Sequence, residues 1–211
     1  LDSAKAESDL QLQFAKSFAS LAHTTEQGQR IRDLLDGKLT GLVVDVDLRW
    51  HFVLSLVERG LFTEEELKIE LERDNTLTGQ LAFERCTAAF PNKEAKEVAF
   101  TRATEDDSIS AWSRLAAIQG FGRPLHRELH TGFIDRYFAL ILDTYNSKSY
   151  EVSTSIIDLL YPTYVINQKT LDKTNDWLSG VGKDAHPTLR RHVIEAKDAL
   201  ERALRVRSID L

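Results

Sequence analysis

Apolar residues recur three or four positions apart along most of the chain, and polar clusters that suit helix ends interrupt them at short intervals. That spacing predicts helices, and strand-like alternation is nearly absent. The first helix is expected from about Ala4 to Ala22, with Leu10, Phe14, Phe18 and Leu21 on one face; the second runs from Thr25 to Leu35 and is closed by Gly37. After the apolar link Leu42-Val43-Val44, Asp45 and Asp47 precede a helix from Leu48 to Arg59, which should end in a left-handed Gly60. Thr63-Glu64-Glu65-Glu66 has the spacing of a capping box, in which the Thr oxygen and the carboxylate three residues on satisfy free amides. It opens a helix to about Arg73, and a further helix runs from Thr76 to Ala89.

Phe90-Pro91-Asn92 breaks the pattern, and Asn92 is placed to cap a helix from Lys93 to about Thr104. Glu105-Asp106-Asp107-Ser108 forms a polar joint before a helix from Ile109 to Phe121, and Gly122-Arg123-Pro124 makes another break. Helical spacing returns from Leu125 through Leu129, Phe133, Tyr137, Phe138, Leu140 and Ile141, then again through Val152, Ile156, Ile157 and Leu160. Thr170 to Leu178, closed by Gly180, is followed by a long helix from Pro187 to about Arg207 with Leu189, Val193, Ala196, Leu200 and Leu204 in one stripe. Ten or eleven short helices with brief links predict an all-α fold of stacked antiparallel helical hairpins, in the manner of an α-solenoid. No repeat is strict enough to define a consensus.

Composition agrees, since 4 Pro and 10 Gly in 211 residues leave few helix breakers. The length suits one large domain or two small ones. The net charge of -6, with Lys and Arg spread along the chain, argues against nucleic acid as a partner. Cys86 is the single cysteine and cannot form an internal disulfide, and no apolar run approaches the roughly 20 residues that span a bilayer. A reduced, cytoplasmic setting without a membrane is expected. Leu1-Asp2-Ser3-Ala4-Lys5 has no features of a secretory signal. The chain contains no methionine, which points to an excised segment or to methionines omitted from the written sequence.

Candidate chemistry is sparse. His126-Arg127-Glu128-Leu129-His130 places two histidines at i and i+4 on one helical face, but a zinc peptidase carries its general-base Glu directly after the first His. Glu128 would sit about 200° around the helix from His126, so it could not serve a metal held by the pair. Two surface histidines on a partly exposed helix are the expectation, with a metal-dependent enzyme as the weaker reading. Cys86 has no basic neighbour in sequence to activate it beyond Arg85, and it is expected to be a buried structural residue. Asp45 and Asp47 are followed by Arg49 and lack the glycine of a calcium loop, so capping accounts for them. No Gly-x-Ser-x-Gly elbow and no Gly-rich loop before Lys-Ser or Lys-Thr occurs. The aromatic residues Trp50, Trp112, Trp177, Phe133, Tyr137, Phe138 and Tyr161 lie on or beside helix stripes, where packing explains them.

Several strings share an order and spacing: Leu35-Asp36-Gly37, Asp45-Val46-Asp47-Leu48-Arg49-Trp50, Asp74-Asn75-Thr76 with Thr78-Gly79, Gly120-Phe121, and Leu160-Tyr161-Pro162. Together they resemble the C-terminal helical domain of bacterial aminopeptidase N of the actinobacterial type, over about Leu10 to Leu204. The Asp-x-Asp-Leu-Arg-Trp and Asp-Asn-Thr segments are the most specific. The resemblance implies an armadillo- or HEAT-like bowl over residues 1-211, part of a larger polypeptide and closing over the active site of a zinc aminopeptidase. The family's catalytic domain holds zinc with His-Glu-x-x-His and a distant Glu, binds the substrate amine with Gly-x-Met-Glu-Asn, and removes N-terminal residues through a zinc-bound water.

None of those catalytic strings occurs in this sequence. This chain alone is therefore expected to be inactive, with no catalytic or metal residues and no cofactor of its own, and its substrate contacts are not assigned. The implied partners are the catalytic domain of the same polypeptide and peptides in the shared chamber. The alternative is a free-standing helical-repeat scaffold that binds partner proteins, for which the same hairpins would suffice. A docked domain should bear one apolar face, whereas a free scaffold needs polar faces at both ends of its stack.

Overall fold

The computed structural model describes residue 1 and residues 4–209, so Asp2 and Ser3 of the N-terminal string lie outside the described residues. Eleven α-helices are formed there, with no strand: α1 Asp9–Leu21, α2 Thr25–Leu35, α3 Val46–Val57, α4 Glu64–Arg73, α5 Leu77–Ala89, α6 Lys93–Glu105, α7 Ala111–Phe121, α8 Ile134–Ser147, α9 Tyr150–Leu159, α10 Gln168–Ser179 and α11 Pro187–Ile209. A 3-10 helix, Arg127–Phe133, precedes α8. The all-α expectation holds.

Short polar residues start most helices. The side chains of Ser8, Thr24, Asp45, Thr63, Thr76, Asn92, Ser110, Ser149 and Asn167 each accept from a backbone N–H in the first turn that follows. Reciprocal capping boxes form at Thr24/Gln27 and Thr63/Glu66. Gly37 and Gly60 adopt φ of 74° and 68°, as their positions after α2 and α3 require, whereas Gly180 has φ -101° and ends α10 without a left-handed turn.

Basic side chains close the other helix ends, where the last carbonyls lack intrahelical partners. Arg59 donates to the Ala22 carbonyl after α1 and, at 2.6 Å, to that of Ser55 in α3. Lys96 Nζ donates to Ala88 O of α5 at 2.7 Å and to Gly120 O of α7 at 3.2 Å. Arg114 donates to Ala103 O of α6 and Arg190 to Leu178 O of α10 at 3.0 Å.

Packing alternates along the chain. Helices α1, α3, α5, α7, α9 and α11 each contact the next in that series, while the helices between them pack from the side and α8 meets α10. Helices α5 and α7 pack closely: a Cβ on Gly120 would lie 2.1 Å from Arg85 O and 2.7 Å from Ala88 Cβ, so only glycine fits. Two apolar clusters fill the stack and meet at α5, which gives Cys86 and Ala89 to the N-terminal cluster and Ala88 to the C-terminal one.

Other details differ from the sequence reading, among them Trp112, which is 67% exposed and so not explained by packing. Helix α1 begins at Asp9, and it buries Gln11, Ala15 and Ala19 while Leu10, Phe14 and Leu21 stay exposed. The reason is close packing on α3, where Ser55 Oγ donates to Ala19 O at 2.6 Å and leaves room for small side chains only. Residues from Leu125 do not run into one α-helix, because a 3-10 helix precedes α8. Finally α7 starts at Ala111 on a Ser110 cap, leaving Ile109 in the preceding turn.

Candidate functional site

The C-terminal halves of α3, α5, α7 and α9 converge on a cavity of about 430 Å³. Leu54, Arg85, Ile118, Phe121 and Leu159 come from those helices, His130 and Phe133 from the 3-10 helix, and Tyr161 to Tyr164 from the turn after α9. Alternate packing of the odd-numbered helices sets their ends side by side. The Gly122-Arg123-Pro124 break then lets the 3-10 helix fold back across them.

Aromatic rings form one wall. Phe121 meets His130 edge-on at 4.8 Å and Phe133 at 5.0 Å, and the His130 ring lies 6.4 Å from that of Tyr164. His130 is 5% exposed, which corrects the expectation of two surface histidines on one helical face. Burial, and then the nearby Lys96 ammonium, hold its ring down to about 4, so it is neutral at pH 7. Its Nε2 is buried with no hydrogen-bond partner.

Charges border the cavity. Buried Glu58 accepts from Arg123 Nε at 2.5 Å and from Arg59 Nη1 at 2.9 Å. Asp158, which lines the cavity, pairs with His192 Nδ1 at 2.8 Å. Arg85 lines it too, and its Nε is buried without a hydrogen-bond partner. Beneath lies Lys96, whose burial pushes its ammonium down to about 8.

His126 Nε2 contacts Glu58 O at 3.0 Å and its Nδ1 contacts Glu128 at 3.3 Å, so both ring nitrogens are already engaged. Among the described residues no group of three His, Cys, Asp or Glu is arranged to hold a metal. Cys86 is 1% exposed, and burial pushes its thiol up to about 12, which keeps it protonated and inert at neutral pH. Asp45 caps α3 by accepting from Leu48 N at 2.8 Å, as its position suggested, and Asp47 lies in the first turn.

A second cavity of about 620 Å³ runs along α5 and α6, with Phe83, Ala95 and Val98 in its walls and the Arg102–Glu84 ion pair across it at 2.7 Å. Sequence reading missed Arg85, Arg123 and His130 as a group because they lie on three separate elements. The one local signal was the Gly122-Arg123-Pro124 break just after an aromatic helix end.

No described helix is long and apolar enough to cross a membrane. The chain is 39% identical over 212 residues to the Aminopeptidase N of Streptomyces lividans, an alignment that takes in all of this chain and 24% of that protein. It thus spans about a quarter of the length of this curated relative. Residues 1–202 match the family model described as the ERAP1-like C-terminal domain, so the chain belongs to the ERAP1-like C-terminal domain family.

Proposed function

We propose that these 211 residues form the single C-terminal helical domain of a cytoplasmic zinc aminopeptidase, an armadillo- or HEAT-like bowl that closes over the active site and helps enclose a peptide chamber. The observation that carries this reading is the 39% identity along the whole chain to a quarter of an aminopeptidase N. Zinc and the hydrolytic residues belong, in this reading, to the preceding part of the same polypeptide, which is the partner the domain docks on. The exposed stripe Leu10, Phe14 and Leu21 on α1 supports such docking, because it is an apolar face on the first helix of the stack.

Two measurements test it. Reading the coding sequence upstream of Leu1 should reveal His-Glu-x-x-His and Gly-x-Met-Glu-Asn in frame; a start codon just before Leu1 would instead leave an independent scaffold. The purified chain should give no hydrolysis of aminoacyl p-nitroanilides with added zinc, while the full polypeptide does. Chelator-sensitive turnover by the chain alone would refute the non-catalytic role.

A further inference from the structure

Five helices of the stack run parallel and start on one edge. Glu7, just before α1, donates its N–H to Gly41 O in the link to α3 at 3.1 Å, and Ser55 meets Ala19 near the other ends of the same two helices. Trp50 in the first half of α3 reaches Asp74 just before α5, and Gly120 sets the end of α7 on that of α5. A small cavity of about 140 Å³ lies between Trp112 and Leu115 of α7 and Val152 and Ser155 of α9, so the starts of these two helices are neighbours as well. On this edge each of the five helices carries one large apolar side chain in its first two positions: Leu10, Val46, Leu77, Trp112 and Tyr150. All are more than half exposed, from 52% at Val46 to 71% at Leu77. Exposure alone does not select such residues. The first two positions of α2, α4, α6 and α10 are also exposed, and they hold Thr25-Glu26, Glu64-Glu65, Lys93-Glu94 and Gln168-Lys169. Apolar residues repeated at the same place in five neighbouring helices mark an interaction surface.

We propose that this edge docks on the preceding part of the same polypeptide, against apolar side chains flanked by Lys or Arg. This docking rests on the reading above that a catalytic part precedes the domain, and it names the surface that meets it. Charge sets the sign of the partner. The first three residues of the five helices include Asp9, Asp47 and Glu151, which are exposed and make no ion pair among the described residues, and they include no Lys or Arg. Such acids also suit helix starts, but no base in these turns offsets them, and the nearby Lys148 is spent on Asp107. A second copy would therefore set like charges against one another, and an anionic membrane would be repelled. Length fits an interdomain contact. Helices packed about 8–10 Å apart spread five starts over roughly 30–40 Å, enough for the roughly 600–1,500 Å² that such contacts bury. The alignment leaves most of the aminopeptidase N relative outside this chain, which is ample mass to cover the edge. Leu10 also begins the exposed α1 stripe, so edge and stripe form one continuous surface.

Carbene footprinting of the full polypeptide, read residue by residue by mass spectrometry and scaled to the urea-unfolded protein, tests this. Leu77, Trp112 and Tyr150 should be labelled about fivefold less than Val181 and Val206, which are similarly exposed but lie off the edge. Carbodiimide should join Asp47 or Glu151 to lysines of the preceding part. Trp112→Glu combined with Tyr150→Glu alters exposed positions only, so labelling should return at Leu77 while buried Ile118 stays protected. If Trp112 and Tyr150 are labelled like Val181 in a polypeptide that carries the zinc motif, the edge is overturned and the catalytic reading stands. A polypeptide without that motif overturns both. Protection that is lost on dilution, or cross-links between two copies, would assign the edge to a dimer and overturn the proposal as well.

Discussion

Trp50 Nε1 donates to Asp74 Oδ2 at 2.8 Å, which joins the two most specific strings of the sequence to one another. Asp74 Oδ1 also accepts from Thr76 Oγ1 at 2.7 Å, and these two bonds, that of Thr76 first, lower the carboxyl pKa. Thr76 in turn caps α5, and a Cβ on Gly79 would lie 1.9 Å from Asp74 O. Next to Trp50, Arg49 makes a two-pronged ion pair with the buried Glu70 of α4 at 2.5 and 2.6 Å. These strings therefore fasten α3 to the α4–α5 corner and stand apart from the cavity. Asp74→Ala should destabilise the chain by about 1–2 kcal/mol, because the mostly buried Trp50 N–H loses its acceptor. Urea denaturation checks this, and Asp74→Asn, which keeps an oxygen, should recover much of the loss.

Lys96 is 2% exposed and spends its ammonium on the Ala88 and Gly120 carbonyls, so its charge is tolerated without a paired carboxylate. Its folded-state value of about 8 lies below the unfolded 10.5, so between these limits the unfolded chain binds the extra proton. Stability from this group therefore rises as pH climbs from about 8 to 10.5, by up to ~3 kcal/mol. Lys96→Met should remove that rise. The difference between the two proteins' unfolding free energies, followed by guanidinium denaturation across pH 7 to 10.5, measures it free of the other lysines and tyrosines.

Helix order and most starts were legible in the sequence because caps are local: Thr63 and Glu66, or Asn92 before Lys93, declare themselves within four residues. What closes the helices was not, since Arg59, Lys96, Arg114 and Arg190 reach carbonyls 4 to 37 positions away. The buried face of α1 was misread for a related reason. Leu10, Phe14 and Leu21 form a proper stripe, yet the neighbour α3 comes close enough that alanines took the inside. The cavity was invisible at this level because His130, Arg85 and Arg123 meet only after four helix ends are brought together.

Gly120 and Gly132 offer a matched pair of substitutions. At Gly120 the added methyl would strike the Arg85 carbonyl and Ala88, both fixed in the α5–α7 contact, whereas nothing lies within 4 Å at Gly132. Gly120→Ala should cost about 1–3 kcal/mol through overpacking, and Gly132→Ala should be neutral or stabilise by up to about 1 kcal/mol through a less flexible unfolded chain. Thermal unfolding of the two variants distinguishes them, and equal midpoints would contradict the tight helix crossing.

His130 makes the acid side of the stability profile. Its folded-state value of about 4 lies below the unfolded 6.5, so the neutral ring contributes stability that is fully present above pH 6.5 and is lost as pH falls towards 4. That window carries up to ~3 kcal/mol, and His130→Phe should flatten it, while His51, which burial also lowers, gives its own slope to both proteins. Burial is the main cause and Lys96 the second, opposed by the Arg123 carbonyl and by Glu128. Lys96→Met removes the repelling charge without reopening the pocket to water. An NMR titration of the His130 ring should therefore show its midpoint moving upward in that variant yet staying below 6.5, because desolvation by Phe121 and Phe133 persists. A midpoint that does not move would mean that the lysine is too well satisfied by Ala88 and Gly120 to act on the ring.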